Sequence, residues 1–401
     1  ASVLARGSIY LTVTNAEAYL AATIKKFPLA YIIPARIKKE EASEVARALG
    51  DIIDIPPSEI IKIIDTRKDA VRVVGSRLAP EGAERVKKLA HRGISITYET
   101  DRFYPSGPLA ADVLGFLGYD ENGRLGQYGV ESSYEKQLSG ASATDAPMRI
   151  GVWQMLARLW SDDPAESVEK VERPGDIVLT IDKNVQTFVE EKLDATLKRL
   201  GASNGSIIVQ EPTTGKIIAM VDRPSFDPNN YGQAPAEAFL NSKVQAIFEP
   251  GSSFKPITMA AGLDLGKISP TTTYNDPGVV EVAGFPIRNY DGEKHGVNTM
   301  TQVLEKSLNT GVMFVENLIG DENFRDYVIN MGFGQRTNVD LPGEVNGDIT
   351  NLYSGRKINY LTASFGQGIA VTPLQLISAY SAIANGGKLM RPYIVEKIVQ
   401  E

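Results

Sequence analysis

The sequence predicts a multidomain α+β protein. Its 401 residues suffice for two or three domains with sizeable cores. The residue pattern changes regime near Pro174, and from there a strand, a helix, a hairpin and a second helix follow in order.

The first 36 residues read as extended, with Ser8 to Val13 and Leu29 to Ile33 as the apolar runs and Pro34 closing the second. Glu40 to Leu49 is an amphipathic helix expected to end at Gly50. Pro56-Pro57 precede a helix over Ser58 to Ile64, with Ser58 as its cap. Glu81 to Ala90 is a further short helix, and alternating Ile94, Ile96 and Tyr98 mark a strand over 93–104. From about 118 to 165 the turn residues of Gly118 to Gly123 and Ser139 to Thr144 predict loop. Asp120 and Asn122 lack the later acidic ligands of a calcium loop and read as a turn.

Beyond Pro174, Ile177 to Ile181 is a strand, and Asp182 caps a helix with Val185, Phe188, Val189, Leu193, Leu197 and Leu200 as its apolar positions. Ser206 to Gln210 and Lys216 to Val221 flank the turn Glu211-Pro212-Thr213-Thr214-Gly215 as a hairpin. No internal repeat of fixed period occurs.

Composition excludes several chemistries. There is no cysteine, so disulfides, thiolate catalysis and cysteine-ligated zinc are ruled out. Two histidines, His91 and His295, cannot make a histidine-rich metal cluster. The net charge of −7 argues against sequence-independent nucleic-acid binding. No run of about 18 or more apolar residues occurs, so no stretch has the length of a membrane-spanning helix. Ala1 to Ala5 read as the remnant of a longer juxtamembrane segment or of the expressed form.

The stretch Phe248-Glu249-Pro250-Gly251-Ser252-Ser253-Phe254-Lys255-Pro256 carries the chemistry. Ser252 and Lys255 are three positions apart and share a helix face. Pro256 is tolerated only near a helix start, which places that start at about Gly251. The run Ile257 to Leu263 predicts a helix buried all round. Burial and the positive helix end both favour a neutral Lys255, which can deprotonate Ser252. Ser307-Leu308-Asn309 adds a hydroxyl and an amide two positions apart. In a loop, both can enter one cleft: Ser307 as a proton relay to a leaving amine, Asn309 as a holder of a substrate amide.

The pair of motifs resembles the signature of penicillin-binding proteins and serine β-lactamases. The flanks resemble class B penicillin-binding proteins, the monofunctional D,D-transpeptidases. Glu249 to Pro256 is similar to their nucleophile motif, as are Ala219 to Asn229 and Phe365 to Gln375 to other family strings. Thr372 caps a helix with Pro373 first in it, and Asn385-Gly386-Gly387 ends it. Arg6 to Tyr10, Gly93 to Ile96, Arg102 to Pro105 and Gly129 to Glu131 resemble the family's non-catalytic, dimerisation-like pedestal.

The resemblance implies an elongated pedestal over 1–170 and a serine β-lactamase-like transpeptidase domain over 171–401, an antiparallel sheet with helices. It implies Ser252, Lys255 and Ser307 as catalytic residues, and Asn309, Ser253, Gly366 and Gln367 as substrate-binding ones. The implied reaction cross-links peptidoglycan stem peptides ending in D-Ala-D-Ala, and β-lactams acylate the same serine. No cofactor, metal or nucleic acid is implied. A glycan-polymerising membrane partner is, as is a place on the outer face of the cytoplasmic membrane, with the anchor outside this sequence.

Two departures stand out. Leu11-Thr12-Val13 stand where the family continues with an Asp-Arg-x-Gly turn. No Lys-Thr-Gly or Lys-Ser-Gly follows Ser307, and Lys294-His295-Gly296 precedes it and reads as a turn. The expectation is a C-terminally incomplete transpeptidase domain with weak or no activity, ending after a strand within Arg391 to Ile398. Two other readings stay open: an envelope scaffold or β-lactam sensor of the same fold, and a serine β-lactamase, for which no water-activating glutamate is evident.

Overall fold

The computed structural model describes residues 5–14, 17–66, 68, 70–120, 123–140 and 174–400. These fall into two compact units, one of residues up to Ser8 with Ala22–Pro105, the other of Ile9–Ala21 with the rest of the chain.

In the first unit, the strand Tyr19–Ile32 pairs antiparallel with Ile94–Phe103, from Thr23 opposite Phe103 to Ile32 opposite Ile94. Arg72–Gly75 pairs with its other edge. Three helices, Ala42–Ile53, Pro57–Ile64 and Pro80–Lys88, contribute Val45, Ala46, Leu49, Ile60, Ile64 and Val86 to a core shared with Ile32, Ile37 and Val74. The first helix runs through Gly50 and ends at Asp54, which takes the left-handed cap conformation (φ 56°). Gly50 is needed for space instead, because a Cβ there would lie 2.6 Å from Ile55 O. Ser58 is not the cap of the second helix: Pro57 occupies its first position and Pro56 precedes it. Buried Arg102 donates to Gly7 O at 2.7 Å, joining two of the pedestal-like strings.

In the second unit, the strand Asp176–Asp182 lies between Ile9–Thr12, parallel to it, and Val395–Val399, antiparallel to it. Asp182 caps the helix Lys183–Leu200, its carboxylate accepting from Asn184 N and Val185 N. Val189 and Leu193 pack on Ala219 and Val221 of the hairpin formed by Gly205–Gln210 and Ile217–Arg223. Phe188 and Leu200 instead face outward, 58% and 68% exposed. Their inward place is taken by buried Gln186, whose amide exchanges hydrogen bonds with the Met220 backbone at 2.9 and 3.0 Å.

Part of the predicted loop after 118 is ordered differently: Phe116–Asp120 and Gly123–Gln127 form a hairpin, and Gly129–Ser133 and Glu135–Ser139 short helices. Asn122 and the stretch 141–165 lie outside the described residues.

The largest core collects Phe254, Ile257, Val303, Leu308, Val312, Phe324, Phe333, Leu361 and Phe365. At roughly 1.5–3 kcal/mol for each large side chain fully buried, it is the main anchor of the elements that carry the site.

Candidate active site

Glu249-Pro250 lead into a 3₁₀ turn, Gly251–Phe254, which continues directly into the α-helix Lys255–Asp264. The Lys255 N–H closes that turn on Ser252 O. Residues three apart eclipse one another in a 3₁₀ turn, so Ser252 and Lys255 project from the same side of it. Ser252 is exposed, and Lys255 is 2% exposed. Phe254, fully buried against Phe333 with ring centroids 5.1 Å apart, pins the turn to the core. The helix is not buried all round, since Leu263 is 45% exposed.

A second strip holds the turn from the side. Phe248 and Val371 exchange backbone hydrogen bonds, Gly251 N donates to Gly366 O at 3.0 Å, and Thr258 Oγ1 donates to Ser364 O at 2.7 Å. Gly366 is buried in a left-handed conformation (φ 77°), and a Cβ there would stand 2.3 Å from Gly251 O. Gln367 beside it is exposed, and Gly368 N donates to Glu249 Oε1 at 2.9 Å. Thr372 caps the following helix, Pro373–Ala384, in a reciprocal capping box with Gln375. Tyr380 of that helix donates to Ser253 O at 2.6 Å, a contact the sequence pattern did not indicate. Ser253 Oγ donates to Pro250 O at 2.6 Å.

Ser307 follows the helix Met300–Glu305 and adopts φ 54°, a left-handed conformation that costs a non-glycine residue about 1–2 kcal/mol. Fully buried Leu308 holds it there. Asn309 is not in a loop: it is the first residue of the helix Asn309–Ile319, and its Nδ2 donates to Arg288 O at 2.8 Å.

The two motifs meet at one amine. Lys255 Nζ donates to Ser307 O at 2.5 Å and to Ser307 Oγ at 2.9 Å. Both acceptors are neutral oxygens. Burial without a counter-charge pushes the Lys255 amine down to about 8. A neutral amine has two N–H groups and one lone pair. With both hydrogens engaged by Ser307, the lone pair is left free to accept a proton.

Behind Ser307 lies a group the motifs do not include. Asp276 is fully buried and accepts from Tyr274 OH, Thr310 Oγ1, Asn289 Nδ2, Gly278 N and His295 N, all at 2.7–2.9 Å. Burial alone would raise its pKa, and these hydrogen bonds outweigh burial and hold it below the ordinary value. Asp276-Pro277-Gly278 reads in sequence as a turn, which is why its role was hidden. Lys294-His295-Gly296 is an irregular connection into the strand Gly296–Thr299. Its His295 ring lies 2.9 Å from Asp291.

Residues 205–401 match the family described as the penicillin binding protein transpeptidase domain. Residues 3–146 match the penicillin-binding protein dimerisation domain. The chain is 30% identical over 381 residues to stage V sporulation protein D of Bacillus subtilis, covering 94% of this chain and 57% of that protein. It is 29% identical over 383 residues to the peptidoglycan D,D-transpeptidase FtsI of Escherichia coli K12, covering 92% and 63%. It is also 29% identical over 367 residues to the probable peptidoglycan D,D-transpeptidase PenA of Neisseria meningitidis serogroup A, covering 92% and 61%. The chain thus spans about three fifths of the length of these curated relatives. The crystal structure of penicillin binding protein 2X from Streptococcus thermophilus shares the fold, with a TM-score of 0.72 at 23% identity, over 99% of this chain and 61% of that one. With a dimerisation-domain match ahead of a transpeptidase-domain match, the chain belongs to the class B penicillin-binding proteins.

Proposed function

We propose that the chain carries the acyl-transfer centre of a peptidoglycan D,D-transpeptidase, with residues 171–401 as the catalytic domain and 1–170 as the pedestal. The observation that carries this reading is the buried Lys255 amine, hydrogen-bonded only to Ser307 among the described residues and one 3₁₀ turn along from exposed Ser252.

Neutral Lys255 takes the Ser252 hydroxyl proton as Oγ bonds to the penultimate D-Ala carbonyl carbon of a stem peptide. The positive end of the helical stretch favours the negative charge that develops there. As the tetrahedral species collapses, the peptide C–N bond breaks. Ser307 passes the proton from Lys255 to the departing amine, and D-Ala leaves. The amine of a second stem peptide then attacks the ester and frees Ser252. A β-lactam follows the first half, with its ring C–N bond broken and its amine still tethered, so the ester persists. Asn309 and Ser253 are the side chains we assign to substrate amides, with Gly366 and Gln367 at the rim.

The named activities of the relatives support this reading, and with it a place in the cell envelope on the outer face of the cytoplasmic membrane. A glycan-polymerising membrane partner would supply the strands.

The test is a labelled penicillin with peptide mapping on the intact full-length protein. A stable adduct on Ser252, absent in Ser252→Ala, is expected. Rapid hydrolysis of a chromogenic cephalosporin would turn the reading to a β-lactamase, and the absence of any adduct to a non-catalytic scaffold.

A further inference from the structure

The helix that begins at Asn309 starts with no side-chain cap. Ser307, two residues before that start, is itself in a conformation that must be imposed from outside. Beside buried Leu308, two chains of hydrogen bonds hold the adjoining Asn309 and Thr310, and both end at Asp276. In the first, Thr310 Oγ1, one residue past Asn309, donates to Asp276 Oδ1 at 2.7 Å. In the second, Asp276 Oδ2 accepts from Asn289 Nδ2 at 2.9 Å. Asn289 Oδ1 in turn accepts from Thr310 N at 3.3 Å, and neighbouring Arg288 O accepts from Asn309 Nδ2 at 2.8 Å. Tyr274 OH bridges the two, 2.9 Å from Asp276 and 2.6 Å from Thr310. Asp276 is fully buried, so it cannot touch substrate.

We propose that Asp276 is the positioning residue of the Ser307-Leu308-Asn309 turn, acting through Thr310 and Asn289. A carboxylate suits the task because it only accepts, and every group turned toward it donates. An amide in its place presents an NH₂ to some of those donors. The turn then relaxes, and both Ser307 oxygens move away from Lys255. The proposal rests on the transpeptidase reading for its kinetic consequence but not for its structural one, which separates the two in the test.

The experiment compares Asp276→Asn, Thr310→Val and Thr310→Ser with the wild type. Two readouts are used: hydrogen exchange across residues 305–311, and the acylation rate constant per titrated active site with a fluorescent penicillin. Asp276→Asn and Thr310→Val should speed exchange in 305–311 and lower the acylation rate constant by roughly tenfold to a hundredfold, as a small misplacement of reacting groups does. Thr310→Ser, which keeps the hydroxyl, should recover most of both. Counting active sites keeps misfolded protein out of the rate constant. If Asp276→Asn does not fold, the Thr310 pair decides alone. Unchanged exchange in 305–311, or a Thr310→Val rate constant equal to wild type in an acylating protein, overturns the proposal. Faster exchange in a protein whose wild type is never acylated upholds the anchor and overturns the transpeptidase reading.

Discussion

Lys255 gives both oxygens of Ser307 a hydrogen bond from one amine, 2.5 Å to the carbonyl and 2.9 Å to the hydroxyl, across 52 positions of sequence. The left-handed backbone at Ser307 turns its carbonyl and its side chain toward the same point. The site therefore fixes the orientation of the Lys255 amine as well as its position.

If Lys255 is the base proposed for Ser252, its protonation state sets the pH dependence of acylation. Burial pushes the amine down to about 8, and only its neutral form can take a proton. The rate should rise about tenfold per pH unit below that value and level off above it. Lys255→Arg, whose side chain stays charged at any working pH, should lose roughly a hundredfold or more. Stopped-flow acylation from pH 6 to 10 measures both, and a flat profile in the wild type would contradict the assignment.

Ser307→Ala removes the hydroxyl acceptor at 2.9 Å and leaves the carbonyl in place. Acylation should fall about a hundredfold through loss of the relay, with the limb near pH 8 retained. Loss of the limb itself would place the titrating group elsewhere.

Gly366→Ala tests the strip beside the nucleophile. Its φ of 77° disfavours a side chain, and the added carbon would meet Gly251 O at 2.3 Å and Gly251 N at 2.6 Å. The Gly251 turn must move. Stability should drop by about 1–3 kcal/mol in urea melts, with slower labelling of Ser252. Wild-type labelling would show that the turn is set by the helix alone.

Lys243 is fully buried and faces two carboxylates, Asp112 at hydrogen-bond contact and Asp222 at 3.1 Å. Lys243→Met leaves two buried acids without their cation. A loss of about 3–5 kcal/mol is expected by urea denaturation. Adding Asp112→Asn should restore part of it, and a double variant no better than the single one would argue against charge as the cause.

Glu316 is buried beside Lys357, 2.7 Å away, and burial raises its pKa from 4.5 to about 7. Between those values the folded chain holds a proton that the unfolded chain has released. Stability should therefore decline as pH rises from 4.5 to 7, relative to Glu316→Gln, by up to about 3 kcal/mol. Melting temperatures of both proteins across that range check the sign.

Local chemistry made much of the second unit legible from sequence. The caps at Asp182 and Thr372, the hairpin over 205–223 and the helix start near Gly251 depend on residues within a few positions of one another. The pairing of Ser252 with Lys255 is legible for the same reason, since a helical turn of i and i+3 residues needs no distant partner. What failed was decided at a distance. Gly50 looked like a helix end and is instead the space for Ile55 O. Phe188 and Leu200 fit the apolar spacing yet face outward, while Gln186 is buried because the Met220 backbone satisfies its amide.

The sequence by itself determined the placing of Ser252 and Lys255 one turn apart and the existence of a second polar motif, because each is a local pattern. Only the tertiary structure decided that the motifs share one amine, that Ser307 is held left-handed, and that Asp276 gathers the hydrogen bonds behind it. The physical reason is that residues 252–255, 273–310 and 364–371 are separated by long stretches of chain. Their approach is set by the burial of Phe254, Leu308 and Phe365 in one core, which no local pattern encodes.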